Sequence, residues 1–266
     1  MTIFAMIVLV GTTPASGQSP SSRIDQLLQN EWQKNAIKPS KRTGDLEFLR
    51  RVTLDLVGRI PTVKEIRQFE VEPDRTRVVE ALLSSQAFAK FQAELWTATL
   101  NGYTSAFQSD RVVLQKWLEK QFASDRGFDQ IATQLLSAEG SAAFDGPVNF
   151  LLRHPEQPAV KVCRIFLGVR LDCARCHDHP YDRWKQADFE QMSRFFQVMR
   201  RSELSQGNPQ LIDSRPGNES PPRFLTGAQP KTGQWRAELA LFVVSCKPFR
   251  RNLANRIWYQ LLGRGI

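Results

Sequence analysis

Apolar residues recur at helical spacing along most of this chain. SSRIDQLLQNEWQKN sets Ile24, Leu27, Leu28 and Trp32 on one face behind a Ser21-Ser22 cap. LEFLRRVTLDLVG repeats the spacing with Leu49, Val52 and Leu56, and Gly58 supplies a C-terminal stop. In IPTVKEIRQF, Thr62 and Glu65 have capping-box spacing, with Ile60 and Ile66 placed for a hydrophobic staple. Val78, Val79, Leu82 and Leu83, followed by Phe88, Phe91 and Leu95, extend the series. RVVLQKWLEKQF and FDQIATQLLSAEG add two shorter amphipathic segments, the second closed by Gly140. No run before Ser202 alternates with period two for long enough to make a strand. The pattern predicts an all-α fold, a packed helical array over residues 22–199.

The texture changes from 202 to 234. SQGNPQLIDSRPGNESPPRFLTGAQPKTG is rich in Pro, Gly, Ser and Asn and reads as an irregular linker, with a small hairpin expected around PRFLTG. Helical spacing returns over 235–266, where Leu253, Ile257 and Leu261 share a face that nothing later in the chain covers. That segment is expected to be the truncated start of a second domain.

Composition narrows the functional classes. The 266 residues are 41% hydrophobic and 24% charged, the mix of an ordinary globular chain. The net charge of +9 favours anionic partners: an acidic redox protein, a cell-surface polyanion, lipid headgroups or nucleic acid. The basic residues are scattered or paired, as at Arg50-Arg51, Arg200-Arg201 and Arg250-Arg251, and no nucleic-acid motif is present. Ile3 to Val10 is wholly apolar and TPASGQS follows, which is the outline of a secretory signal peptide over 1–17. The run is too short to span a bilayer. An exported chain, in the periplasm or at the cell surface, carries its cysteines into an oxidising compartment.

The chemistry-bearing residues gather in LDCARCHDHPYDRW, Leu171 to Trp184. Covalent haem attachment needs two thiols that add to the porphyrin vinyls and an adjacent imidazole for the iron. Cys173, Cys176 and His177 have that order, with Asp172 placed to cap the turn. Zinc is an alternative, although a structural site needs four ligands and no second paired motif exists. A Cys173–Cys176 disulfide is another. For a sixth iron ligand the candidates are Met199 and Met192, seven apart on one expected helical face, and His154. Cys163 and Cys246 are expected as buried free thiols or as a disulfide pair. No paired carboxylates, nucleophile motif or phosphate loop supports catalysis, so enzyme status stays open.

Three segments carry a resemblance: FLRRVTLDLVGRIPTVKEI, FLGVRLDCARCHDHPYDRWKQADFEQMSRFF and NRIWYQLLGRGI. They resemble the planctomycete-specific cytochrome family, domain of unknown function 1549, and the opening of its companion domain, 1553. The resemblance implies a large exported protein with one covalent haem c on the cysteine motif. The sequence departs at Cys246-Lys247-Pro248, where an Asn-Pro pair is usual. An exported electron-transfer module is the first expectation. A structural or binding module of a cell-surface protein, with zinc or a disulfide at the motif, is the second.

Overall fold

The computed structural model describes residues 19–104, 109–204 and 208–266. The expected signal peptide lies outside them. Residues 1–44 and 45–266 are separate units. In the first, helix α1 (Pro20–Lys34) is capped by Ser19, whose hydroxyl accepts from Ser22 N, and none of its residues is buried.

The second unit is a helical array, as the sequence periodicity predicts. Helix α2 (Asp45–Val57) buries Leu49, Thr53 and Val57. Its inward face is thus turned slightly from the expected one, and Val52 and Leu56 lie half-buried at its edge. Helix α3 (Val63–Val71) opens with the predicted capping box: Thr62 Oγ1 accepts from Glu65 N, and Glu65 accepts from Thr62 N. Ile60 stays exposed and makes no staple. Ser85 splits the next run, capping α5 (Gln86–Asn101) just after α4 (Arg75–Leu83) ends. Helix α5 buries small side chains, Ala89, Ala93 and Thr97, which lets α6 (Arg111–Ala123) approach closely.

Helices α7 (Phe128–Ser137), α8 (Val148–Arg153) and α9 (Pro158–Val162) complete the central layer. Buried Asn149 holds this layer to the start of α6, because its Oδ1 accepts from Asp110 N at 2.6 Å and its Nδ2 donates to Ala142 O at 2.9 Å. A π-helical turn, Cys163–Leu167, follows α9 and ends at Gly168, whose φ of +68° favours glycine. The 3₁₀ turn Leu171–Arg175 then leads through a loop to α10 (Gln186–Arg194).

The segment expected to be irregular begins with strands. Strand β2 (Met199–Leu204) pairs antiparallel with β3 (Asn208–Asp213), from Met199 opposite Asp213 to Leu204 opposite Asn208. The two-residue β1 (Gly140–Ser141) joins the other edge of β3, giving the order β1-β3-β2. The hairpin therefore lies at 199–213, and around 222–227 the chain makes only a turn, with Gly227 N donating to Phe224 O.

Packing also crosses the segment 202–234. Trp235, Leu239 and Val243 of α11 (Trp235–Ser245) and Phe249 of α12 (Lys247–Leu262) lie in the same buried cluster as Leu114, Ile131 and Phe150. Arg236 is fully buried there. Its Nε donates to both Asp213 carboxylate oxygens, at 2.7 and 2.9 Å, and its terminal nitrogens donate to Leu136 O and Ala138 O. One side chain thereby ties α11 to β3 and to the end of α7.

Candidate functional site

The cysteine–histidine cluster lies on the 3₁₀ turn and the loop after it. Leu171 and Ala174 point into the core and anchor the turn. That leaves Cys173 half-buried and Cys176 exposed, both as free thiols. Asp172 does not cap the turn. It sits inside the turn, and its Oδ1 is buried without a hydrogen-bond partner among the described residues.

The loop between the turn and α10 is closed by its own backbone and carboxylates. His179 N donates to Trp184 O at 2.8 Å, and Asp178 Oδ1 accepts from Gln186 N at 2.9 Å, at the first residue of α10. Asp188 accepts from Lys185 N, which fixes the helix start. Trp184 is buried below, with the Arg183 guanidinium 4.5 Å above its ring and its Nε1–H without an acceptor among the described residues.

These bonds distinguish the two histidines. His177 Nδ1 lies 2.7 Å from Asp178 O. A carbonyl only accepts, so Nδ1 carries a proton and, in the neutral ring, the lone pair is on Nε2. His179 has the opposite arrangement. Its Nδ1 accepts from Tyr181 N at 3.1 Å, so a neutral ring carries its proton on Nε2. His177 therefore presents a free ligand nitrogen, held in orientation by a backbone carbonyl as metal-binding imidazoles usually are. His179 uses its lone pair within the loop.

The expected distal candidates fall in three different settings. Met192 is fully buried in α10. Met199 is not on the same helical face, because α10 ends at Arg194 and Met199 opens β2. It is half-buried and lines a cleft of about 510 Å³ with Leu152, Glu156, Arg200, Arg201 and Ser202. His154 Nε2 donates to Leu100 O at 2.6 Å, and the ring meets Phe150 edge-on. Burial, aided by the Lys161 and Arg153 charges, pushes its pKa down to about 4 despite the Leu100 bond. Cys163 is fully buried in the π-turn and Cys246 is half-buried with its Sγ–H donated to Val243 O; both are free thiols.

The donor set suits a haem of the c type, which brings four nitrogens of its own and asks the chain for two thiols and one imidazole. Among the described residues, no three His, Cys, Asp or Glu side chains are grouped to hold a metal ion by themselves. Asp178 and Trp184, which shape the loop, were not singled out in the sequence; their roles depend on backbone partners that the motif does not encode. Among the described residues, no helix is long and apolar enough to cross a membrane.

A family model, PSCyt2, described as a protein of unknown function (DUF1549), matches residues 23–201. The chain belongs to that family. No curated protein and no solved structure matches it.

Proposed function

We propose that this PSCyt2 protein is the electron-transfer module of an exported, cell-envelope protein. Cys173 and Cys176 would hold one haem c by thioethers, and His177 would bind its iron through Nε2. A haem held there supplies a one-electron couple. The observation that carries this reading is the pairing of tautomers: the histidine next to Cys176 is the one whose Nε2 lone pair is unused.

The chain's own residues prepare that position. Asp178 secures the loop to α10 and, through its carbonyl, orients the His177 ring. Trp184 Nε1–H is a buried donor within the same loop that lacks an acceptor. Exposure of Cys176 and His177 leaves the motif accessible to a partner protein, and the net charge of +9 favours an acidic one. Met199, half-buried at a cleft whose lining includes none of the motif residues, Met192, fully buried in the helix that packs on the motif turn, and His154 are the candidates for a sixth ligand. Residues 235–266 resemble the opening of the companion domain, which would belong to the same larger polypeptide.

The test is expression in a host with a cytochrome c assembly system. Haem should remain with the chain through denaturation and acid extraction, because a thioether survives unfolding and axial ligation does not. Cys176→Ser should leave at most one thioether, and His177→Ala should alter or abolish the haem spectrum. Colourless protein with both thiols open to alkylation would refute the haem assignment. One chelatable zinc per chain would then favour a metal-holding surface module instead.

A further inference from the structure

Helices α3 and α4 both pack on α2, and the wedge between them stays open as a cavity of about 160 Å³. Leu49, Thr53, Phe69 and Leu82 are buried at its floor, and Val78 adds a half-buried wall. The one hydroxyl among them is already used, since Thr53 Oγ1 donates to Leu49 O at 2.7 Å. The interior therefore asks a guest for no hydrogen bond. An apolar cavity of about 150 Å³ is large enough to take a benzene ring.

The mouth has the opposite character. Three acidic side chains, Glu65, Glu72 and Asp74, line it with one basic side chain, Arg77. Glu65 is spent on Arg59, which donates to its two oxygens at 2.8 and 2.9 Å. Glu72 accepts from Arg77 through Oε2 alone, at 3.1 Å, in an exposed pair. Asp74 caps α4 through Oδ1 alone, accepting from Arg77 N at 3.0 Å. Each of these two carboxylates thus keeps an oxygen for a guest. In a chain of net charge +9, such a mouth is a local reversal of sign.

The floor also supplies an aromatic ring, Phe69, stacked on Phe48 with centroids 6.5 Å apart. Phe48 shows the matching chemistry beside it. The Arg75 guanidinium lies 4.6 Å from the Phe48 centroid while Arg75 Nε donates to Asp45 at 2.9 Å. A ring and a carboxylate together hold a cation better than either alone. We propose that the cavity between α2, α3 and α4 binds a small organic amine, an ammonium group carried on an aromatic or short alkyl body. The body fills the space beside Leu49, Phe69 and Leu82, and the ammonium meets Glu72 and Asp74 at the mouth. A neutral body of the same shape gains only the floor, and an anion is opposed by the carboxylates. The site uses none of the haem-motif residues and does not depend on that reading.

The test titrates benzylamine, benzyl alcohol and benzoate into the full chain at neutral pH and constant ionic strength. The Val78 and Leu82 methyl resonances are followed by NMR. Benzylamine should move them saturably, with benzyl alcohol about tenfold weaker and benzoate weaker still. Glu72→Gln combined with Asp74→Asn removes both charges and keeps the α4 cap, because asparagine caps a helix as well as aspartate does. In that variant benzylamine should fall to the level of benzyl alcohol, whose own affinity should stay unchanged. Ala81→Leu, a change at the exposed rim, should close the opening and abolish binding of all three. No saturable movement with benzylamine, or equal affinity for benzylamine and benzoate, would overturn the site.

Discussion

Arg236 has no exposed surface, yet both oxygens of Asp213 and the carbonyls of Leu136 and Ala138 receive its donors. The loop from Leu171 to Gln186 is comparably polar, but it leaves Asp172 Oδ1 and Trp184 Nε1 without partners and presents the Nε2 lone pair of His177. Around Arg236 the polar groups are matched to one another and the outcome is architecture: three elements joined by one side chain. In the motif loop the backbone, the Asp178 and Asp188 carboxylates and His179 Nδ1 are matched, while Asp172 Oδ1, Trp184 Nε1 and His177 Nε2 are left over.

The largest test of this contrast is Arg236→Ala. It leaves Asp213 partly buried beside two unpaired carbonyls, and burial already raises that carboxyl's pKa against the pull of Arg236. A loss of about 3–5 kcal/mol is expected in urea unfolding, the usual cost of removing one partner of a buried ion pair. A loss under about 1 kcal/mol would mean that the pair does not hold the elements together.

A smaller effect is expected at His154, a buried histidine on the structural side of the comparison. Its folded pKa of about 4 lies below the ordinary 6.5, so between those values the unfolded chain binds the proton more readily. The contribution of the neutral ring is fully present above pH 6.5 and is lost as pH falls towards 4. Unfolding curves of the parent chain and His154→Gln across that window should converge as the pH drops. Parallel curves would show that the ring does not titrate in this way.

The smallest stability effect should come from His177→Ala, within about 0.5 kcal/mol in the haem-free chain, because the exposed ring bonds only its neighbour's carbonyl. A loss of several kcal/mol would remove the distinction between the two regions.

The helices were legible because their signals are local. The Thr62–Glu65 capping box and the stop at Gly58 each involve residues within a turn of one another. The tilt of a face was not, since whether α2 buries Val52 or Thr53 is decided by α4 and α5 packing against it. MRRSEL and NPQLID show no apolar alternation, so only their pairing reveals the hairpin. The order of the cysteine motif was readable, but its proton arrangement was not, because the His177 tautomer depends on where the Asp178 carbonyl points. Arg236 stands out as one basic residue in the apolar run WRAELALFVV, although its carbonyl acceptors lie about a hundred residues away.

The four thiols differ in how far a reagent must travel to reach them. Cys176 is open, Cys173 is half-covered, Cys246 is half-covered with its proton engaged, and Cys163 is enclosed. Burial also raises the pKa of Cys246 and, more strongly, of Cys163, which leaves less of the reactive thiolate in both. An alkylating probe should therefore count the haem-free chain in stages, with the motif pair labelled while it is folded and Cys163 only as the core opens. The fourth cysteine thus serves as a built-in clock for unfolding, read by mass alone, whatever occupies the first two.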